Sequence, residues 1–170
     1  MDAIGLRMNK PDIIIGIDPD VDKSGVGVVS RSGSVEVFSF SFPELIEFLR
    51  RSADLKECTV IVVEASWKIS TNWHLKNGDN RRTSAAKGVD QGRCHEVGRK
   101  IVECARHYGL EVIEQYPLRK IWKGKDGKIT DEEIKAFMPI IERTNQEERD
   151  AALLAWDYAG LPIRITTKLK

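Results

Sequence analysis

The sequence predicts an α/β protein in which helices pack on a mixed sheet. Three observations lead to this prediction. Five short segments have the pattern of strands, longer segments with helical periodicity lie between and after them, and the elements follow a defined order. That order is three strands, a helix, a strand, a helix, a strand and one or two helices. With 170 residues, the chain is long enough to bury a core, and we expect a single domain over residues 1–170.

The five predicted strands are short, apolar and rich in β-branched residues, and they cover residues 12–18, 24–30, 34–40, 59–65 and 110–117. The second and third are joined by "RSGS", which is typical of a hairpin connection. The fourth, "TVIVVEA", is apolar almost throughout, which is typical of a strand covered on both faces.

The predicted helices cover residues 43–55, 94–109, 130–141 and 145–160. Pro43 suits the first helical position, and Thr130 and Glu133 have the spacing of a capping box. Pro139 is expected to kink or end its helix, because proline cannot donate the helical hydrogen bond.

Composition narrows the class of protein. Charged residues make up 31% of the chain and hydrophobic residues 41%, and the net charge of +1 gives no overall field that would attract nucleic acid. There is no apolar run near the roughly 20 residues of a membrane span, and the N-terminus lacks a signal-peptide core, so we expect a cytoplasmic protein without a membrane partner. The three cysteines have no C-x-x-C spacing and are interpreted as reduced thiols.

Acidic residues stand at unusual places in this pattern. Asp18 and Glu64 end two apolar strands, where an unpaired carboxylate is costly to bury, and Glu147 and Asp150 share one face at the start of the last helix. If the first and fourth strands are neighbours, these side chains converge at one sheet edge. Hard oxygen ligands favour Mg²⁺ or Mn²⁺, and two such ions about 4 Å apart suit in-line attack on a phosphodiester.

Each of these acids also has a simpler interpretation. Asp18 precedes a proline and suits a turn, Glu64 suits a strand end at the surface, and acids at a helix start favour the helix dipole. Considered together on this element order, they favour a metal site. Asp18, Asp20 and Asp22 also imitate a calcium loop, but the residues at its sixth and twelfth positions do not fit, so we interpret Asp20 and Asp22 as solvated turn residues.

Two basic segments follow the predicted strands. Residues 66–93 hold six Lys or Arg against two acids, with Trp67, Trp73 and His74 among them, and residues 117–128 hold five against one, with Trp122. Such cations neutralise phosphates, and aromatic rings stack on bases. The alternative is a pair of solvated loops whose tryptophans fold back on the core. The candidate phosphate contacts are Arg81, Arg82, Lys87, Arg119, Lys120 and Lys123.

The chain resembles the RuvC-type Holliday-junction resolvases of the RNase H-like superfamily from about Ile13 to Gly160. The motifs that carry the resemblance are "IIIGIDPDVDKSGVGVV", "VIVVEASW", "GVDQGRCHEVGRKIVECARHYGLEVIEQYPLRKIWKG" and "EERDAALLAWDYAG". The resemblance implies an RNase H-like, mixed five-stranded sheet whose first three strands are antiparallel. Asp20 stands where the family usually has glycine, and Glu147 where it has aspartate or histidine.

The resemblance also implies a function. Asp18, Glu64 and Asp150 would be catalytic metal ligands, Glu147 would occupy the remaining acidic position, and the protein would be a homodimer that nicks four-way DNA junctions in pairs with two Mg²⁺ ions per site. Arg119 or Lys120 would then stabilise transition-state charge. An RNase H-like nuclease acting on RNA or RNA–DNA hybrid, and a branched-DNA-binding protein without cleavage, remain alternatives. The helix through Val97 and Ile101 suits either a dimer interface or the core.

Overall fold

The computed structural model describes residues 10–55, 58–69, 78, 80–140 and 142–164. Within them the five predicted strands form one mixed sheet in the order β3-β2-β1-β4-β5. The strands are β1 (Ile13–Asp18), β2 (Ser24–Ser30), β3 (Val35–Phe40), β4 (Thr59–Glu64) and β5 (Glu111–Gln115). The predicted α/β class and the mixed sheet are confirmed.

The strand pairing is antiparallel in one half of the sheet and parallel in the other. β2 pairs antiparallel with both β1 and β3, as predicted for the first three strands. β4 pairs in parallel with β1 and with β5. The first and fourth strands are therefore neighbours, and their carboxyl ends lie at the same edge of the sheet.

Four α-helices accompany the sheet in the described ranges: α1 (Phe42–Ala53), α2 (Arg81–His107), α3 (Asp131–Lys135) and α4 (Gln146–Tyr158). The capping box of Thr130 and Glu133 is present at the start of α3. α3 ends before Pro139, and Pro43 is the second residue of α1, not the first.

The predicted start of α2 was wrong. The helix begins at Arg81, where the side chain of Asn80 accepts a hydrogen bond from the Thr83 amide, and not near Cys94. Its buried residues are all in the second half, from Gly98 to Ala105. Because the first half is not packed in the core, it has no apolar periodicity that would reveal a helix.

Helices cover both faces of the sheet. α4 packs on one face with the apolar side chains of α3, and α1 and α2 pack on the other. Ile101 and Ala105 of α2 are fully buried in this second cluster. The apolar face of α2 therefore packs on the sheet of its own chain. None of the helices in the described ranges is both long and apolar enough to cross a membrane, and all three cysteines are free.

Glycines let α4 approach the sheet closely. A Cβ atom on Gly16 or Gly27 would overlap main-chain atoms of Ala151 or Ala152, and one on Gly25 would overlap the main chain of Glu147. The backbone of α4 thus lies directly on β1 and β2. This contact fixes the position of the first two turns of α4 relative to the end of β1.

Candidate active site

Two acidic side chains come from the ends of neighbouring parallel strands. Asp18 is the last residue of β1, and Glu64 is the last residue of β4. The strands are in register, with Ile17 opposite Val63. Asp18 and Glu64 therefore leave the sheet at the edge where ligands of α/β sheets usually bind.

Two further acidic side chains come from the start of α4. Glu147 and Asp150 lie three residues apart in the first turns of the helix and so share one face. Gly25, the β2 partner of Asp18, lies against the main chain of Glu147. The close packing of α4 on β2 thus brings both helix residues toward Asp18, and all four carboxylates line one cleft.

The neighbouring carboxylates influence the ionisation of Asp18 and Glu64. Burial raises the pKa of Asp18 well above its ordinary value, and the charges of Glu64 and Asp150 raise it further. Burial also raises the pKa of Glu64, and the charge of Asp150 adds to that effect. Carboxylates held together in this way either retain protons or require a positive charge beside them.

Lys128 supplies a positive charge within the cluster. Its Nζ atom donates a hydrogen bond to Oδ2 of Asp150 over 2.8 Å. Burial lowers the pKa of Lys128, but this hydrogen bond and the negative charges of Asp150 and Asp18 outweigh it, so the pKa is raised. Lys128 is therefore a protonated counter-ion of the acidic cluster.

The cluster lies in a cleft of about 570 Å³. Arg119 and Lys120, in the segment after β5, line the same cleft beside the acids. The rest of its wall is largely apolar, with Leu118, Ile121 and Trp122 among the lining residues. A volume of several hundred Å³ with a few polar groups on an apolar wall is typical of a ligand site.

The predicted basic residues divide into two groups. Arg119 and Lys120 lie in the cleft, whereas Lys123 is exposed outside its lining, and its main-chain amide donates to the carboxylate of Glu133. The remaining three, Arg81, Arg82 and Lys87, belong to the first half of α2 and are not part of the described cleft lining. All three lie on a helix, because α2 begins at Arg81, and not in a solvated loop of the kind that the alternative interpretation described.

The tryptophans of the basic segments fold back on the protein where the structure describes them. Trp122 stacks on Phe137, with ring centroids 6.0 Å apart. Trp67 packs against the apolar cluster beneath α2, and its Nε1 donates to Glu114 over 3.3 Å. Trp73 and His74 lie outside the described residues. The contacts of Trp67 and Trp122 agree with the alternative interpretation, in which the tryptophans fold back on the core.

The turn after Asp18 is held by its own side chains. The carboxylate of Asp20 accepts a hydrogen bond from the Asp22 amide over 2.8 Å, and the Asp20 amide donates to Ser24 Oγ over 3.1 Å. An aspartate that bonds the amide two residues on is a common turn arrangement. The positions of Asp20 and Asp22 therefore agree with their interpretation as turn residues.

The donor set fits a hard divalent cation, because it consists of carboxylate oxygens around the half-buried Asp18. Within the described ranges, however, no three His, Cys, Asp or Glu side chains form a preformed metal cluster. The ion pair with Lys128 accounts for part of this, since it holds Oδ2 of Asp150. A cation that bound this oxygen would have to displace Lys128.

The mixed sheet, with helices on both faces and acids at one edge, agrees with the RNase H-like architecture expected from the sequence. The chain is similar to Thermus thermophilus RuvC in complex with Holliday junction substrate, with 14% identity, a TM-score of 0.50, and coverage of 86% of this chain and 92% of that chain. A second Thermus thermophilus RuvC structure has 17% identity and a TM-score of 0.46, with coverage of 87% and 96%. The first of these similarities shows a RuvC-like fold.

No protein-family model and no curated protein sequence matches the chain. The fold is therefore shown by structure alone, and the chemistry of the site depends on the residues described above.

Lys128 was not among the residues singled out from the sequence. It is one of five cations in the segment 117–128, and it is 22 residues from its partner Asp150. No spacing rule connects residues that are this far apart and separated by another helix. A search for a cation able to neutralise the predicted acids would have reduced the candidates to the two basic segments without selecting Lys128.

Proposed function

We propose that this protein is a Mg²⁺-dependent endonuclease that resolves four-way DNA junctions during recombination by paired hydrolysis of phosphodiester bonds. One observation supports this most strongly: Asp18, Glu64, Glu147 and Asp150 line one cleft at the edge of a RuvC-like fold. A carboxylate cluster of this kind suits phosphoryl transfer with metal ions. The solved Thermus thermophilus RuvC complex contains a Holliday junction substrate, which supports the choice of branched DNA.

The four carboxylates would hold the ions, with Mn²⁺ as a substitute for Mg²⁺ and two ions per site. Bound there, the ions would supply an activated water and neutralise the leaving 3′-oxygen. The chain's own part is to keep the carboxylates together. Asp18 and Glu64 are held by the parallel strands, and the α4 residues are held by the close packing on Gly25.

The cations of the cleft would act on the phosphates. Lys128 already lies beside Asp150, and Arg119 and Lys120 line the same cavity. Fixed positive groups in a partly closed site stabilise charge that develops on a phosphoryl oxygen. The exposed cations outside the cleft, Arg81 and Arg82 on α2 and Lys123 after β5, would bind phosphates further from the scissile bond.

Paired nicks require two sites, and we propose a homodimer with a two-fold axis that matches the symmetry of the junction. Because Ile101 and Ala105 are buried within the chain, the two chains of the proposed homodimer have to meet through other surfaces. The exposed first half of α2 offers one such surface. Light scattering on the purified protein would measure the number of chains in solution.

The function is tested by incubating the protein with a synthetic immobile four-way junction, with and without Mg²⁺. Linear duplex and RNA–DNA hybrid of the same sequence serve as competing substrates, and the Asp18→Asn variant serves as the control. The proposal predicts symmetric paired nicks on the junction alone, which require Mg²⁺ and disappear in the variant.

Other outcomes would change the proposal in defined ways. Cleavage of RNA or hybrid in place of the junction would retain the metal site and replace the substrate. Tight junction binding without cleavage in Mg²⁺ or Mn²⁺, unchanged in Asp18→Asn, would indicate a DNA-binding protein whose carboxylates have no catalytic role.

A further inference from the structure

The carboxylate of Asp150 is held at both of its oxygens. Oδ2 accepts from Nζ of Lys128, and Oδ1 accepts from Nε2 of Gln146, each over 2.8 Å. Gln146 lies one turn before Asp150 on α4, the spacing at which helical side chains meet. The carboxylate therefore has one charged and one neutral donor, and its orientation is fixed.

Arg149 determines which end of the Gln146 amide faces Asp150. Nη2 of Arg149 donates to Oε1 of Gln146 over 3.0 Å. Because a guanidinium has donors only, it must face the amide oxygen, and the amide nitrogen is left to face Asp150. The orientation of the Gln146 side chain thus follows from its hydrogen-bonding partners.

The same two side chains also hold the main chain next to Lys128. Nε of Arg149 and Nε2 of Gln146 both donate to the carbonyl oxygen of Ile129, over 3.1 and 3.3 Å. Arg149 is anchored in turn on Thr144, which is buried and bonded to Asp131. The network therefore fixes both Asp150 and the residue that follows Lys128.

We propose that Gln146 is a positioning residue for the acidic cluster: it holds Oδ1 of Asp150 so that Oδ2 is the oxygen presented to a cation, and Arg149 keeps Gln146 in this orientation. The inference rests on the proposed function, since it takes the cluster to bind a divalent cation. A hydrogen-bond donor behind a ligating carboxylate orients it, and loss of such a donor weakens metal binding by about 10- to 100-fold.

The test measures Mn²⁺ binding to the full chain by calorimetry, without DNA, for wild type, Gln146→Met and Gln115→Met. Methionine keeps the side-chain length and removes the amide. Gln115 is a matched control, because its Nε2 also donates to a carboxylate of α4, that of Asp157, over 3.4 Å. Gln115 is also paired with Glu64 across the neighbouring strands. The control variant therefore changes a residue that lies next to one of the four acids.

The proposal predicts that Gln146→Met binds Mn²⁺ about tenfold more weakly than wild type, while Gln115→Met remains within about twofold. Equal affinity of Gln146→Met and wild type, or an equal loss in both variants, would overturn it and leave the proposed function standing. Absence of Mn²⁺ binding by the wild-type protein would instead overturn the proposed function, and the inference with it.

Gln146→Glu separates positioning from charge and serves if the methionine variant does not fold. Glutamate keeps the size of the side chain and the contact with Arg149, but it presents an acceptor to Asp150. Added negative charge alone would strengthen cation binding, whereas loss of the donor weakens it. We expect weaker Mn²⁺ binding by Gln146→Glu, and affinity equal to or above that of wild type would overturn the proposal.

Discussion

Nζ of Lys128 lies 2.8 Å from Oδ2 of Asp150, within a cluster of four carboxylates. The positive charge of Lys128 opposes the rise in the pKa of both Asp18 and Glu64. The ammonium group thus offsets part of the repulsion among acids that the fold brings together. A divalent cation would do the same more strongly, so Lys128 and a bound cation would compete for the same oxygen.

Removal of Lys128 should therefore strengthen cation binding. In Lys128→Met the ammonium no longer holds Oδ2 of Asp150, and the site becomes more negative. We expect about tenfold tighter Mn²⁺ binding, measured by calorimetry without DNA, and a metal-free protein that is less stable by about 1 kcal/mol.

Lys135→Met is the matched control for this variant. Lys135 forms a 2.7 Å ion pair with Asp131 at a similar exposure, but it is not part of the described cleft lining. Its replacement should leave Mn²⁺ affinity unchanged. Weaker Mn²⁺ binding by Lys128→Met would contradict the competition, because it would mean that Lys128 helps to hold the cation site together.

Asp18→Asn should stabilise the metal-free protein. The pKa of Asp18 is raised by burial and by neighbouring carboxylates, which means that its ionised form is unfavourable in the folded state. We expect the variant to have a larger free energy of unfolding than the wild type near neutral pH without metal. Added Mg²⁺ should raise the melting temperature of the wild type more than that of the variant.

The difference in the free energy of unfolding between wild type and Asp18→Asn changes with pH in a definite direction. In the unfolded chain an aspartate has a pKa of about 3.9, whereas folded Asp18 keeps its proton to higher pH because its pKa is raised. Between these values the folded state binds more protons, so wild-type stability relative to Asp18→Asn falls as pH rises through the window. Urea unfolding of both proteins from pH 4 upward measures this, and a difference that is independent of pH would contradict the raised pKa.

The position of the acids at the strand ends was predictable because it follows from local pattern. Asp18 and Glu64 each end a short β-branched run, and parallel pairing of those two strands is enough to bring them to one edge. Glu147 and Asp150 share a helix face by spacing alone. What these acids bind is a matter of chemistry, and that part remains a prediction.

Other features left no local signal. The first half of α2 is mostly exposed and has no apolar period, so its helical state depends on the Asn80 cap and on continuity with the packed half. Lys128 reaches Asp150 only because the segment before α3 folds back on α4. Such contacts are set by tertiary packing, which sequence periodicity does not encode.

Gly25→Ala should separate α4 from the sheet. A methyl group at this position would overlap the main chain at Glu147 and Glu148, which cannot move without shifting the helix. We expect a loss of about 3 kcal/mol or more in stability, comparable to severe overpacking. In the folded fraction of Gly25→Ala, Mn²⁺ affinity should also fall, because Glu147 and Asp150 would lie further from Asp18.

Gly88→Ala is the matched control for Gly25→Ala. Gly88 is exposed within α2, and a Cβ atom there would meet no other atom within 4 Å. Alanine should stabilise the protein by about 0.5 to 1 kcal/mol, because glycine is the poorer helix former. Thermal and urea unfolding of both variants measure the contrast. A loss of less than about 1 kcal/mol in Gly25→Ala would show that α4 can shift without disturbing the core.

The two groups of basic residues should affect junction cleavage differently. Lys120 lines the acidic cleft, whereas Arg81 is on the exposed start of α2. If the proposed function holds, Lys120→Ala should slow single-turnover cleavage at saturating junction by about tenfold or more, because it removes a cation beside the reacting phosphate.

Arg81→Ala should leave the single-turnover cleavage rate unchanged. It should instead weaken binding of the junction and reduce the slope of log affinity against log salt by about 1. Cleavage kinetics and binding at several salt concentrations measure both quantities. If both variants changed only affinity, Lys120 would be a phosphate contact without a part in the chemical step.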